Sequence, residues 1–325
     1  MSELVHIRVV VPEHHRTPLV DLLVATEGVT NVAVLAGAAV DPRGDLVLFD
    51  VAREVANEVL AALEREQIDH LGSIVLIHSR LSLGDSVDAA LAAAPGEADT
   101  TVLWSEVEDA VRTAYRTTAR FFAYFVVASL IAAAGVLTNS PILIVGAMVV
   151  GPEYGAIAAM SWALERRHGR MFLHATLAGV AGSMAAVLAS AVFAGILRAF
   201  DRLPDGFELS AQTNAGFIAH PDVYSGVVAC AAAVAGVLSL AFEHSGTLVG
   251  VLVSVTTIPA IAAIGVGAVT GDWHDVAGAA RQLGVNVAAL TLMGAITFRV
   301  LRTWPAEWHL PGWLRPWMGR GVNGR

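Results

Sequence analysis

The stretch that decides the fold runs from Thr138 to Leu164 and reads TNSPILIVGAMVVGPEYGAIAAMSWAL. It is apolar enough to enter a lipid bilayer, but Gly151 and Pro152 interrupt it near its middle, directly before Glu153. Proline lacks a backbone N–H and clashes with the preceding helical turn. An unmade backbone hydrogen bond is costly in lipid, and so is an ionisable side chain, so the interruption should face protein or a water-filled cavity. We therefore predict a broken helix with the functional centre at its break.

The polar and helix-breaking residues of this stretch are the candidates for a substrate or ion site. They are Asn139, Ser140, Pro141, Gly151, Pro152, Glu153, Tyr154 and Gly155. Asn139 and Ser140 are predicted to cap the half-helix that starts at Pro141, and a break exposes N–H groups on one half and carbonyls on the other. The Glu153 carboxylate and the Tyr154 phenol are predicted to line a polar pocket. Glu153 has two interpretations: a proton carrier, or a structural glutamate that reaches an arginine or a bound water.

The composition divides the chain into an acidic first part and an apolar second part. Of 325 residues, 55% are hydrophobic and 15% are charged, below the roughly 25% charge of soluble domains. Residues 1–118 contain 19 acidic residues and 8 arginines, whereas residues 119–325 contain 10 acidic residues and 12 arginines. We interpret this as an acidic soluble domain followed by a membrane domain. Because the chain has no basic stripe, we expect no nucleic-acid partner, and its single cysteine excludes an internal disulfide.

The soluble domain, residues 1–81, alternates between strand and helix patterns. The predicted strands are Leu4–Val11, Asn31–Val40, Asp45–Val51 and Ser73–His78, and the predicted helices are Thr17–Glu27 and Arg53–Gln67. The order β-α-β-β-α-β is that of an α+β ferredoxin-like domain. No signal-peptide pattern precedes it, so it is expected to stay in the cytoplasm. It shows no catalytic constellation, which favours a role in regulation or oligomerisation.

Three further segments complete the predicted organisation. Residues 82–120 are predicted to be a linker, Leu83–Thr101, followed by an amphipathic juxtamembrane helix, Val102–Arg120. Residues 121–302 are predicted to form the transmembrane domain. The last segment, 303–325, carries tryptophans among arginines and is predicted to be an interfacial cytoplasmic tail, since amphipathic aromatic side chains favour the membrane surface.

Six segments resemble spanning helices, which need about 20 mainly apolar residues. They are Phe121–Leu137, Ser140–Leu164, Met171–Leu197, Val223–Phe242, Ser245–Val269 and Val276–Phe298. Most arginines of the flanking segments lie before the first, between the second and third, and after the sixth. Since cytoplasmic loops carry the arginine excess, we predict a multi-pass protein of the cytoplasmic (inner) membrane with both termini in the cytoplasm.

An internal repeat is the second informative feature. A shift of 104 residues places Val145-Gly146 on Val249-Gly250, and the run Ala156–Ala159 on Ala260–Ala263. Each repeat unit holds three predicted spans, and this odd number inverts the second unit relative to the first. The fold class predicted is thus a membrane α-helical bundle of about six spans, built as two inverted three-span repeats with broken helices.

The second repeat unit contains its own interruption, Thr256-Thr257-Ile258-Pro259, in a position that corresponds to Gly151–Glu153. Inverted repeats with interrupted helices in matching positions are typical of transporters whose site lies near the bilayer midplane. Thr256, Thr257 and Pro259 therefore join the predicted site. Asn286 of the sixth span joins it as well, with hydrogen bonding between helices as its alternative role.

Several motifs together resemble a known family. They are GVLTNSPI at 135–142, GAM at 146–148, Pro152, the run 250–259, TGDW at 270–273, Asn286, and ITF at 296–298. The family is that of the uncharacterised bacterial and archaeal membrane proteins called domain of unknown function 389. The resemblance covers about residues 105–302 and implies a membrane topology behind a ferredoxin-like N-terminus, but no activity. Its members usually carry an apolar residue after the break, so the resemblance implies no role for Glu153.

Two functions remain open from the sequence. The first is a transporter or channel for an unknown small solute or ion, with its site at the paired helix breaks. The second is a non-transporting membrane sensor or scaffold whose ferredoxin-like domain binds a small effector or partner. We expect no enzyme, because no Ser/His, HExxH or paired-Asp constellation is present, and we expect no cofactor. Membrane lipid and a homo-oligomer are the predicted partners, since small-residue helix faces and a sheet edge invite contacts.

Overall fold

The computed structural model describes residues 4–78, 82–94, 101–203, 223–242 and 257–303. The chain is mostly helical, with one small sheet near its N-terminus. It falls into two compact units, Met1–Ser105 and Glu106–Thr303. The division lies inside the segment 82–120 that we predict to connect the two domains.

The described residues of the N-terminal unit form four strands and four helices. In chain order these are β1 (Leu4–Val11), α1 (Glu13–Ala25), β2 (Val29–Val40), β3 (Arg43–Ala52), α2 (Arg53–Arg65), α3 (Ile68–Leu71), β4 (Ser73–His78) and α4 (Asp85–Ala93). The sheet order is β2-β3-β1-β4, and each neighbouring pair is antiparallel. The predicted alternation of strands and helices is found, with the short α3 added before β4.

The core of this unit forms because alternate side chains of the two central strands point to the same face. Ile7 and Val9 of β1 and Phe49 of β3 are fully buried against the helices, where they meet Leu23 and Leu63. Burying a side chain of this size contributes about 1.5–3 kcal/mol. Those few central contacts therefore stabilise the sheet against both helices.

The connecting segment differs from the prediction in two ways. Within the predicted linker, Asp85–Ala93 forms α4, whose Val87 and Ala90 are buried. The predicted helix Val102–Arg120 is wrong in its end: α5 covers Trp104–Ala114, and the next helix starts at Ala119. The physical reason is a capping hydroxyl, because Thr118 Oγ1 accepts a hydrogen bond from the Phe121 N–H at 3.2 Å and so favours a new helix start.

The second unit consists of seven further helices in the described residues. They are α6 (Ala119–Leu137), α7 (Pro141–Val150), α8 (Glu153–Glu165), α9 (Gly169–Ala199), α10 (Val223–Ala241), α11 (Ile258–Thr270) and α12 (Trp273–Thr303). Three of them, α6, α9 and α12, are long and apolar enough to cross a membrane, and α7 with α8 makes a fourth if the bent pair is one span. The described apolar part of α10, Ser225–Ala241, is shorter. The predicted fifth span is described only from Thr257 onward.

Helix α9 shows how the apolar surface is arranged. Its exposed face carries a stripe of large side chains that are each more than half exposed, among them Leu177, Leu188 and Val192. Apart from Met171 in its first turn, its buried residues are small, such as Ala178 and Gly182. Small residues let helix backbones approach closely, and large apolar side chains on the outside suit lipid. The pattern is that of a helix packed inside a membrane bundle.

The helices of the second unit pack in matching pairs. Helix α6 packs on α9, and α10 packs on α12. Helix α8 packs on α9 and α12, and α11 packs on the same two helices. The two helices that begin at the predicted breaks, α8 and α11, therefore lie against a common pair of long helices.

Candidate functional site

The first predicted break is present at the predicted position. Helix α7 ends at Val150, α8 begins at Glu153, and the two are bent by 56°. Between them, Gly151 still donates its N–H to the Ala147 carbonyl at 3.2 Å, whereas Pro152 has no N–H to continue the helix. The chain therefore turns at Gly151-Pro152 and restarts with Glu153 as the first helical residue.

The second break is described on its downstream side. Helix α11 starts at Ile258, with Thr257 at its N-cap position and Pro259 in its first turn. Proline is well tolerated there because the first helical N–H groups have no partner within the helix. Thr256 of the predicted site lies outside the described residues.

The two breaks meet inside the second unit. Thr257 Oγ1 donates a hydrogen bond of 2.9 Å to Glu153 Oε1. The side chains are buried, with Glu153 exposed by 5% and Thr257 by 1%. A methyl group on Gly151 would lie 2.3 Å from Glu153 Oε2 and 2.8 Å from Ile258 Cγ1. The absence of a side chain at Gly151 thus lets the carboxylate and α11 approach each other.

The helix ends give this point a positive electrostatic character. Glu153 is the first residue of α8, and its hydrogen-bond donor Thr257 precedes the first turn of α11. The N-terminus of a helix carries a partial positive charge that stabilises a nearby anion by about 0.3–1 kcal/mol. Two such ends at one carboxylate compensate part of the cost of burying it.

Two neighbouring candidates lie elsewhere. The Tyr154 hydroxyl donates to the Gly236 carbonyl of α10, and so joins two helices instead of facing the Glu153 carboxylate. Gly155 packs against the end of α5, since a methyl group there would lie 2.6 Å from the Ala114 carbonyl oxygen. Both residues tie α8 to its neighbours.

The candidates at the start of α7 lie at its far end from the break. Ser140 Oγ accepts from the Leu143 N–H at 3.5 Å, as predicted for a cap, and Pro141 is the first helical residue. Asn139 adopts a positive φ of 51° in the preceding turn. A helix of 10 residues is about 15 Å long, so these three residues do not join Glu153 in one pocket.

Asn286 belongs to a polar patch that sequence reasoning missed in part. It is fully buried on α12, and its Oδ1 accepts from Gln282 Nε2 at 3.4 Å. Gln282 shares this buried face and is exposed by 4%. Its spacing of four residues from Asn286 was the available signal. This bond lies within α12, so the alternative role of Asn286, hydrogen bonding between helices, stays a prediction.

Contacts in the second unit recur when one partner is shifted forward by 104 positions and the other is shifted back by 104. The shift places Glu153 on Thr257, and these two residues contact each other. A methyl group on Gly294 of α12 would lie 2.5 Å from Ser161 Oγ of α8. In the corresponding place, one on Gly265 of α11 would lie 2.7 Å from Ser190 Cβ of α9. Each shifted pair therefore makes the same close helix contact.

The same correspondence between shifted positions holds at the ends of the helices. Arg302 Nη1 of α12 donates to both carboxylate oxygens of Glu165 in α8, at 2.9 and 3.1 Å. The residues at the corresponding positions, Arg198 of α9 and Val269 of α11, also meet, because Arg198 Nη1 donates to the Val269 carbonyl. The arrangement is preserved although an ion pair is replaced by a bond to the backbone.

Acidic residues near the start of α12 have a structural role. Asp272 Oδ1 accepts from the Asp275 N–H at 3.2 Å and so caps the helix. In the part of the chain that the structure describes, no three His, Cys, Asp or Glu side chains group as they would around a metal ion.

Comparison with known proteins gives one match. Residues 148–292 match the sequence profile of the family described as domain of unknown function (DUF389), which confirms the family assignment made from the motifs. The matched region contains both breaks and Asn286. No curated protein and no solved structure matches the chain.

Proposed function

We propose that this chain, whose residues 148–292 match the DUF389 family, is a membrane transporter or channel for a small solute or ion. The observation that carries the proposal is the hydrogen bond from Thr257 to Glu153, which joins the two broken segments. Ionisable side chains at membrane depth are costly and usually belong to ion or substrate paths. Half-helix ends that converge on one point supply the polar groups from which transporter sites are built.

The proposed architecture is two inverted three-span repeats, six spans in all. The exchanged contacts support it, because Ser161 with Gly294 corresponds to Ser190 with Gly265 after the 104-residue shift. In a transporter built from inverted repeats, one repeat can move against the other around a fixed site. Glu153 and Thr257 occupy equivalent positions in the two proposed repeats, so their hydrogen bond would lie on the pseudo-two-fold axis that relates the repeats.

The chemistry of the proposed site follows from its two side chains. The Glu153 carboxylate offers two oxygens and accepts one hydrogen bond from Thr257. A proton or a cation that binds this carboxylate lowers the negative charge on the oxygen that accepts the Thr257 hydrogen bond. Binding therefore weakens the link between α8 and α11, and this coupling of occupancy to the contact between repeats is what alternating access requires.

Flux through the purified full-length chain tests this function. Proteoliposomes would report proton entry with a trapped pH dye, and Na⁺, K⁺ and Cl⁻ flux in separate assays, each under an imposed gradient. We expect at least one flux, and a loss of roughly tenfold or more in Thr257→Val and in Glu153→Gln. The control is Thr297→Val, since Thr297 Oγ1 donates to Met293 of its own helix. Flux that is absent, or equal in all variants, contradicts the proposal.

The proposed setting is the cytoplasmic membrane with both termini inside and a ferredoxin-like N-terminal domain. The sheet order β2-β3-β1-β4 with a helix after each of β1 and β3 supports that domain type. The arginines at the ends of α8 and α12 support the orientation.

One observation favours the alternative, an assembling scaffold. The edge strand β2 contains no charged residue and exposes Val34, Leu35 and Val40 by 40%, 46% and 82%. An uncharged edge strand is able to pair with another copy of itself. Val34→Cys in a Cys230→Ser background should then form a disulfide-linked dimer in membranes. A chain that assembles in this way and shows no flux would be a scaffold.

A further inference from the structure

A cleft of about 430 Å³ opens between the C-terminal ends of α8 and α12. It lies at the opposite end of α8 from the first break and is independent of the transport proposal. Its lining residues are Leu164, Glu165, Arg167, Leu292, Ala295, Ile296 and Arg299. The lining thus combines two arginines and one glutamate with four apolar side chains.

The charges of the cleft leave an excess of positive charge. The Glu165 carboxylate is held by Arg302 at 2.9 Å and lies 3.8 Å from Arg166. Its negative charge is therefore neutralised from outside the cleft lining. Arg167 and Arg299 are both exposed, and they give the cleft a cationic end.

The apolar part of the cleft continues toward the middle of α12. Leu292 and Ile296 are exposed by 56% and 54%, although they belong to a helix long and apolar enough to span a membrane. They lie one turn apart, and Arg299 follows almost one turn later toward the helix end. The wall of the cleft therefore changes from apolar to cationic along the direction of the helix.

We infer that this cleft binds one anionic phospholipid. Its phosphate would lie between Arg167 and Arg299, and one acyl chain would lie along Leu292 and Ile296. Guanidinium groups bind phosphate oxygens in a bidentate fashion, and basic pockets between membrane helices bind anionic head groups. A soluble phosphate would use only the cationic end, so the apolar wall is the reason to assign a lipid.

Native mass spectrometry of the purified full-length chain tests the inference. Titration with phosphatidylglycerol should give one tightly bound lipid, whereas phosphatidylcholine and inorganic phosphate should bind at least tenfold more weakly. Arg167→Gln combined with Arg299→Gln should weaken phosphatidylglycerol binding roughly thirtyfold, since each basic residue near a lipid surface contributes about one kcal/mol. Leu292→Ala with Ile296→Ala should weaken lipid binding but leave phosphate binding unchanged.

The matched control is Arg170→Gln, because Arg170 is exposed in the first turn of α9, shortly after α8 in the chain, but does not line the cleft. It should bind phosphatidylglycerol like the unmodified chain. The inference is overturned if Arg170→Gln loses as much affinity as the double arginine variant, if that double variant binds normally, or if inorganic phosphate binds as tightly as the lipid.

Discussion

At the scale of single residues, the proposed site depends on one hydrogen bond and one glycine. The bond from Thr257 to Glu153 joins two buried side chains on different helices. A hydrogen bond to a charged group contributes about 1.5–3 kcal/mol in water-soluble proteins, and bonds between membrane helices average nearer 0.6 kcal/mol. We therefore expect the contact to be measurable and modest.

A double-mutant cycle with Glu153→Gln and Thr257→Val measures this contact. We predict a coupling free energy of about 1 kcal/mol between the two sites, since only directly contacting residues couple strongly. Reversible unfolding in detergent would supply the four free energies. The control cycle pairs Glu153→Gln with Thr297→Val and should show additivity within about 0.5 kcal/mol. Equal coupling free energies in the two cycles would contradict a direct interaction between Glu153 and Thr257.

Gly151 is predicted to be intolerant of a side chain. In Gly151→Ala the added methyl group would displace the Glu153 carboxylate and press on Ile258, at a cost of about 1–3 kcal/mol. The backbone is not the cause, because Gly151 has an ordinary φ of −63°. Gly146→Ala in α7 is the comparison, since a methyl group there meets nothing within 4 Å. It should be neutral or stabilising in thermal unfolding, and an equally large loss in both variants would contradict the crowding at Gly151.

At the scale of helices, two contacts related by the 104-residue shift differ in their chemistry. Arg302 neutralises the Glu165 carboxylate, whose side chain is only 3% exposed, whereas Arg198 donates to the Val269 carbonyl. Removing the guanidinium from Arg302 leaves a nearly buried carboxylate without its closest cation. Removing it from Arg198 leaves a carbonyl that a shorter amide or water can satisfy.

Arg302→Gln is therefore predicted to destabilise the chain by about 1–2 kcal/mol, and Arg198→Gln by less than about 0.5 kcal/mol. Glu165→Gln combined with Arg302→Gln should recover most of the loss, because no charge is then left unpaired. Unfolding in detergent at low and high salt is the measurement. Equal losses at the two arginines would contradict the asymmetry.

The sequence predicted an element correctly where its local pattern was strong, and missed it where the pattern was weak. The bounds of β1 and β4 match the prediction because Val- and Ile-rich alternation ends sharply at polar or turn residues. Helix α4 was missed because its nine residues carry no long apolar stripe. The gap between α5 and α6 was missed because its Arg and Thr residues are tolerated in helices. Only the hydrogen bond at Thr118 reveals the new helix start.

At the scale of the whole molecule, the offset between the two breaks was the most informative signal. It placed Glu153 and Thr257 at equivalent positions, and the structure brings them into contact. It could not show that the 56° bend leaves Asn139 and Ser140 at the far end of α7. It also could not show that the Tyr154 hydroxyl reaches α10. Both depend on side-chain directions after the break.

The proposed inverted repeat predicts that equivalent helix ends lie on opposite sides of the membrane. Arg202 follows α9 and Arg299 lies near the end of α12, and both are exposed. In a Cys230→Ser background, Arg202→Cys should react with an impermeant maleimide on the outer side of right-side-out vesicles. Arg299→Cys should react only after permeabilisation. Labelling of both from one side would exclude the inverted arrangement.

The most direct measurement of the central claim is whether water reaches the contact between the breaks. Thr257→Cys and Ile261→Cys, each in a Cys230→Ser background, place thiols one turn apart on α11, at positions that are both 1% exposed. If the breaks form a transport site, Thr257→Cys will react with a small charged thiosulfonate in membranes, and Ile261→Cys in the packed core will not. If neither thiol reacts, or both react at the same rate, the breaks are packing features and the transport proposal is contradicted.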